Sequence, residues 1–318
     1  MILGVLLAWV AGLMWGLVFI TPVLLSDYPA TVLSAGRYLA FGLIALPLAW
    51  IDRRHLAELT REDWVEALKL SAVGNLLYYL FLAAAIQRSG APVPTMIIGT
   101  LPLVIALTAH RLSRQPQGTR SPEQSWRRFA PSLGLMAAGL LFVNHTEVAR
   151  WQTPEAQALW RHAQGVILAL CAVACWTWYP LRNAAWLTAH PGRSARAWAT
   201  AQGLATLPLA LVAYGLLWAG LMRHDPAWQA PFGPQPQRFV TLMLVVGLLA
   251  SWLGTLCWNE ASRRLQPTLL GQLIVFETLA ALAYAWALRQ QWPDPLTWVA
   301  AGLLVMGVVV AVRAREQP

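Results

Sequence analysis

One carboxylate stands deep inside an apolar run. Glu277, in "LIVFETLAALAYAW", lies about ten residues into a helix predicted over 267–288, which is roughly 15 Å of rise and close to a bilayer midplane. A charge at that depth is expensive, so it must face a cavity, find a partner or hold a proton. Three roles fit such a group: proton coupling, hydrogen bonding to a substrate ammonium, or a hydrogen bond between packed helices. Trp15 in "LMWGL" and Trp176 in "ACWTW" are a second candidate feature. Aromatic walls suit a cargo with a flat apolar body and a cationic end, through stacking and cation–π attraction. Asn75, Tyr78 and Tyr79, with Trp178, Tyr179 and Trp252, extend the candidate substrate-binding wall, with Trp258 beside them. They cannot all face inward, because helical spacing sends neighbours to different faces. The chain holds 18 tryptophans, so any single one also has a packing or interfacial reading.

Arg37 falls some seven residues into a predicted helix, a depth from which its side chain can snorkel to the interface. Pairing with Asp27 is an equivalent reading, and anion binding is the alternative. Lys69, one turn past Glu66, reads as structural. Cys171 and Cys175 share a helical face, yet no histidine or carboxylate cluster completes a metal site. "NHT" at Asn144 matches a glycosylation pattern near a predicted helix end. No P-loop, GxSxG or HExxH is present, so ATP-driven pumping and the common hydrolytic chemistries lack support. No cofactor and no enzymatic activity are expected.

Composition says what must hold these groups. The 318 residues are 58% hydrophobic and 12% charged, against about 25% charged in a soluble domain. Apolar stretches recur along the whole length at the size a transmembrane helix needs. The expected fold is all-α and integral to the membrane, with helices near 2–25, 30–51, 64–87, 92–111, 129–146, 163–187, 194–222, 239–261, 267–288 and 296–312. The first span has no basic leader and no small-residue cleavage site, so it reads as retained. The longer connections, "RLSRQPQGTRSPEQSWRR" and "RHDPAWQAPFGPQPQR", are polar and rich in proline. The net charge of +9 would suggest nucleic acid in a soluble protein, but here the arginines sit in short loops. With the N-terminus inside, fifteen of the 23 basic residues fall on inside segments and six on outside ones, while Arg37 and Lys69 lie within spans. That bias places both termini in the cytoplasm. Trp50, Trp64, Trp126, Trp160, Trp186 and Trp298 lie near predicted helix ends, as interfacial belts do.

An internal repeat organises these spans. "GLIALPLA" at 42–49 returns as "GLATLPLA" at 203–210, and Trp15 and Trp176 share the same offset of 161. Pro92 and Pro267 pair at an offset of 175, and "AAGLL" recurs at 137 and 300. Two units follow, 1–150 with helices 1 to 5 and 160–314 with helices 6 to 10. Five spans is an odd number, so the second unit enters the membrane from the opposite side. Inverted repeats of this kind let a carrier open one central site to either face in turn. Gly134, Gly139, Gly302 and Gly307 would allow close packing within the bundle or across a dimer.

Ten helices in a five-plus-five arrangement, with "GLMWGLVFI" in helix 1, "TLPLVIALTAHRL" in helix 4 and the proline entries at Pro92 and Pro267, resemble the EamA-type permeases of the drug/metabolite transporter superfamily. "FETLAALAYAWAL" resembles that family's helix 9, with Thr278 where proline is usual. "HRLSRQ" and "LRQQW" lack the glutamate that often closes helices 4 and 9, which weakens any ion-coupling role borrowed from those positions. Within the superfamily the chain looks most like amino-acid and metabolite exporters, including the YddG-type exporters of aromatic amino acids. The resemblance implies a basket-shaped bundle around a central cavity. The function expected is export of amino acids, aromatic ones included, and related small metabolites across the inner membrane by alternating access. The partners expected are a small-molecule substrate and the lipid bilayer, with proton coupling as one reading of Glu277. The alternatives are a multidrug or cationic-compound exporter of the same fold, and a non-transporting membrane scaffold.

The orientation is directly testable. In a bacterial host, green fluorescent protein fused to the C-terminus should fluoresce and alkaline phosphatase fused there should be inactive; the opposite pair of results would reverse the assignment.

Overall fold

The computed structural model describes residues 2–90, 92–112, 130–139, 141–142, 156–224, 228, 231–290, 292 and 295–316. These residues form helices and their connections, with no strand among them. In hydrocarbon every backbone polar group must be satisfied within its own segment, which leaves the helix as the structure for these apolar runs. The helices are α1 (Ile2–Leu24), α2 (Ala30–Leu56), α3 (Arg61–Ser89), α4 (Pro92–Ile98, then Leu101–Leu112), α5 (130–139), α6 (Ala156–Ala189), α7 (Ala195–His224), α8 (Pro236–Ser262), α9 (Pro267–Leu273, then Val275–Arg289) and α10 (Pro295–Glu316). Seven of the described helices are long and apolar enough to cross a membrane. Asn144, Trp126 and most of the loop over 111–128 lie outside the described residues.

Local sequence explains several boundaries. Pro236 and Pro267 open α8 and α9, positions where a missing N–H costs nothing. Thr60 and Asp63 form a reciprocal capping box at the start of α3. Four helices depart from regular geometry. Helices α3 and α8 each contain a seven-residue π turn, Ser71–Leu77 and Gly247–Leu253. Helices α4 and α9 are each broken, at Gly99–Thr100 and at Ile274.

Packing centres on α2 against α7, with α1 held between α8 and α9 and α3 packed along α6. The octets seen in the sequence form the α2–α7 crossing. A Cβ on Gly42 would come within 2.6 Å of the Leu207 Cβ, and one on Gly203 within 2.6 Å of the Ala45 Cβ. Hydrogen at these two positions is what lets the helices touch. Gly139 and Gly307 play a similar part between α5 and α10, whereas a Cβ on Gly134 or Gly302 would meet nothing within 4 Å.

Polar contacts tie the helices at both ends of the bundle. At one end the Asp52 carboxylate, 1% exposed, accepts from the Arg196 guanidinium at 2.5 and 2.8 Å and from the Thr200 hydroxyl at 3.1 Å. Nearby, Arg182 forks onto Glu66 at 2.5 and 3.1 Å, and Arg193 reaches Glu58 at 2.9 Å. The Trp186 indole donates to Asp63 at 2.8 Å and stacks on Trp198 with centroids 3.6 Å apart. Trp186 is therefore buried rather than part of an interfacial belt, because Asp63 offers its N–H an acceptor inside the protein. Trp50, Trp160 and Trp298 are exposed, as expected of belt residues. At the other end Tyr28 stacks on Phe239 and donates to the Phe232 carbonyl, while Gln235 bonds both the Tyr28 hydroxyl and Asp27.

The α2–α7 contact generates a prediction. Gly203→Leu should destabilise the protein by about 1–3 kcal/mol through overpacking, lowering its melting temperature in detergent. Gly302→Leu, which adds its side chain to open space, should leave that temperature within a degree or two; equal losses at both positions would refute the packing account.

Candidate functional site

The site assembles where the interrupted helices meet the tryptophans. Trp15 on α1 donates its indole N–H to the Ala250 carbonyl at 2.9 Å. That carbonyl belongs to the π turn of α8, whose widened geometry leaves backbone oxygens available to side chains. The π turn of α3 is used in the same way, with Ser34 on α2 donating to the Leu76 carbonyl at 2.9 Å. Trp15 then meets Trp176 of α6 edge-on, with centroids 5.0 Å apart and rings at 83°. Trp176 itself lies between two tyrosines, Tyr78 at 4.8 Å and Tyr179 at 4.9 Å. Offset stacks of this kind add about 0.5–1.5 kcal/mol per pair beyond the area they bury.

The break in α9 sets the depth and direction of the carboxylate. Glu277 follows the interruption at Ile274 and sits in the first turn of the second half-helix, where the positive end of the helix dipole favours negative charge. Gly12 brings α1 against this point; a Cβ there would lie 2.9 Å from the Glu277 backbone nitrogen. The Glu277 side chain is 1% exposed, and its Oε1 accepts from the Tyr78 hydroxyl at 3.4 Å. Its Oε2 has no hydrogen-bond partner.

Arg37 departs from the sequence expectation. It neither snorkels nor pairs with Asp27, which is engaged by Gln235. Its guanidinium is 4% exposed, lies 4.5 Å from the Tyr79 ring centroid and 4.9 Å from that of Tyr38, and donates from Nε to the Ser251 hydroxyl at 3.0 Å. Its Nη1 has no partner. The inward direction follows from α2 packing on both α8 and α3, which bring the Ser251 hydroxyl and the Tyr79 face within reach beside Tyr38 of α2 itself; residue type alone did not reveal those neighbours.

Arg37 and Glu277 line one pocket together with Trp15, Val18, Tyr38, Asn75, Tyr78, Trp176, Ala250, Ser251 and Thr255. Five of the nine candidate residues, Trp15, Asn75, Tyr78, Trp176 and Glu277, therefore face it. Tyr79 and Tyr179 form a layer behind, one under the Arg37 guanidinium and the other stacked on Trp176, with its hydroxyl on Gln202 at 2.8 Å. Trp178 is not in the wall: it points outward and is 37% exposed, being two residues past Trp176 and so on another helix face. Trp252 is also displaced, with its indole 3.3 Å from the Thr200 hydroxyl between α8 and α7. Tyr38, Ser251 and Thr255 are lining residues that the sequence did not single out, and Arg37, read there first as snorkelling or paired, joins them. The position of Ser251 in a π turn is the signal that was missing, since that turn rotates the residues around it.

The free space is small. The roomy cavity expected of the fold is here a pocket of about 10 Å³ for the centre of a water molecule, room for roughly one water. Ring stacking and the inward guanidinium fill the remainder. No group of three or more His, Cys, Asp or Glu suited to a metal occurs among the described residues.

Comparison with known proteins agrees with this architecture. Inner membrane protein YtfF of Escherichia coli (strain K12) is 50% identical over 317 residues, spanning 100% of this chain and 97% of that protein. A solved structure described only as a crystal structure of a protein superposes with a TM-score of 0.67 over 98% of each chain. At 16% identity that likeness is one of fold. The EamA-like transporter family matches residues 2–119, the stretch that carries Trp15, Arg37, Asn75 and Tyr78. The half-identical relative along the full length and the family match over α1 to α4 lead to one conclusion: the chain is a multi-pass membrane protein belonging to the EamA-like transporter family, within the drug/metabolite transporter superfamily.

Proposed function

We propose that this protein is a secondary carrier of the inner membrane that exports amino acids, aromatic ones included, and related small metabolites by alternating access. The observation that carries the reading is the central pocket: a polar chamber with aromatic walls, lined from α1, α2 and α3 on one side and α6, α8 and α9 on the other. Polar contacts bind the helices together at both ends of the bundle. A carrier needs this arrangement, a site near mid-membrane with a closure toward each face.

The inverted-repeat reading of 1–150 and 160–314 draws support from features that pair within one residue of the offset of 175 seen in the sequence. The π turns begin at Ser71 and Gly247, 176 residues apart, and the helix breaks fall at Gly99 and Ile274, 175 apart. Interrupted helices in corresponding positions of two halves are a mark of transporter binding sites. Trp15 and Trp176, related by an offset of 161, touch each other, as equivalent residues do when they lie beside an axis relating two halves. In this reading the two halves exchange conformations, and Glu277 is the group through which a proton gradient couples to transport. The buried guanidinium in the same pocket disfavours the alternative of a cationic-compound exporter, since it repels a cargo bearing only positive charge.

The test is flux. Protein reconstituted in liposomes should show saturable release of preloaded labelled amino acids, and Trp176→Ala should slow the aromatic ones at least tenfold through lost stacking. Absence of flux across a broad amino-acid panel, with and without a proton gradient, would overturn the reading.

A further inference from the structure

Two ionisable side chains of opposite sign share the central pocket, and no ion pair or hydrogen bond joins them. The Arg37 guanidinium keeps Nη1 without a partner, and the Glu277 carboxyl keeps Oε2 without one. Both side chains are more than nine-tenths buried. Groups of this kind are normally paired when they lie within a membrane bundle, because an unpartnered polar atom there costs its full desolvation. Each is instead braced from one side only. Arg37 is held by Ser251 and by the faces of Tyr38 and Tyr79, and Glu277 by the Tyr78 hydroxyl and the start of its half-helix. The bracing fixes where each head group lies and leaves one donor edge and one acceptor oxygen unused.

We infer that Arg37 and Glu277 are the two poles of a receptor for a zwitterion, with Arg37 taking the carboxylate of a free α-amino acid and Glu277 its ammonium. The inference rests on the transport reading above and adds the recognition chemistry to it. A guanidinium matches a carboxylate with two parallel N–H donors, and its Nε is already used by Ser251, so Nη1 with its neighbouring N–H groups is the edge left for the cargo. A carboxylate oxygen accepts from an ammonium in the same manner. A free amino acid carries both charges on one carbon, so it satisfies both poles at once, and neither a simple amine nor a simple acid does. The side chain is left to the aromatic wall of Trp15, Tyr78 and the edge of Trp176, whose two faces are taken by Tyr78 and Tyr179; such a wall discriminates weakly by shape and favours flat apolar groups. Specificity then divides into two parts: a strict requirement for both charges and a tolerant one for the side chain.

The experiment uses the reconstituted full-length protein and the amino acid carried fastest in the flux panel. Its methyl ester, its decarboxylated amine and its deaminated acid compete against it in counterflow. Each analogue should compete at least tenfold more weakly than the unlabelled amino acid, because a buried pole left unpaired costs about one to two decades of affinity. Arg37→Met should raise the KM for the amino acid about ten- to a hundredfold and change competition by the decarboxylated amine far less. Glu277→Gln should give the mirror result with the deaminated acid, and Arg37→Lys should restore part of the lost affinity. These comparisons on wild-type protein do not depend on any variant folding. Amino-acid flux that the ester and the amine inhibit as well as the amino acid itself would overturn the zwitterion receptor while leaving transport in place. Absence of any amino-acid flux would instead overturn the transport reading on which it rests.

Discussion

A guanidinium and a carboxyl group buried in the middle of a helical bundle constrain everything around them. Lipid cannot solvate either one, so the helices carrying them must turn them inward and supply polar atoms along the way. Much of the irregular geometry near the centre serves that requirement. The π turn of α8 contains Ser251, which accepts from Arg37, and Ala250, whose carbonyl holds the Trp15 indole. The break in α9 places Glu277 at the start of a half-helix, next to the close approach made by Gly12.

The end of the bundle around Asp52 solves a different problem. Asp52, Glu66 and Asp63 are buried carboxylates near the ends of spans, and each is matched by an arginine or an indole from α6 or α7. Their arginine partners remain about half exposed, so the pairs stay hydrated and their net contribution is modest. Their chief effect is on register: they fix which turn of α2 and α3 meets which turn of α6 and α7. The centre holds ionisable groups that are braced but unpaired, whereas the Asp52 end holds charges that are paired and wet. The two regions consequently answer differently to a change in helix separation.

Much of this fold is legible in the sequence because its cause is one-dimensional. The length of an apolar run sets a span, so α1, α2 and α7 appear close to the expected bounds. Trp15 and Trp176 stand out through their shared offset, and both reach the pocket. What the sequence conceals depends on neighbours. Arg37 at seven residues of depth looks like a snorkelling side chain until α8 is known to lie beside it. Trp186 looks interfacial until Asp63 is found within hydrogen-bond reach, and Trp178 looks central until the direction of its helix face is known. The π turns and the break at Ile274 are not announced by residue type, since the glycine and the few polar residues of Ser71–Leu77 and Gly247–Leu253 also occur in regular spans of this chain. They arise from packing and hydrogen bonding across helices.

The smallness of the pocket has an energetic consequence. With room for about one water, the pocket takes nothing larger while Tyr78 and Trp176 keep this stacked arrangement. A solute must part these rings, and the interaction energy it gains is partly consumed in doing so. Its measured affinity is then lower than its contacts alone would give, by the population of the parted state. On the proposed carrier reading the stacked rings would act as a threshold on binding: a weakly interacting solute would leave them closed, and one that engages both the aromatic wall and the charged groups would open them. Selectivity at such a site would be set by which molecules can meet the cost of entry as well as by how well they fit once inside.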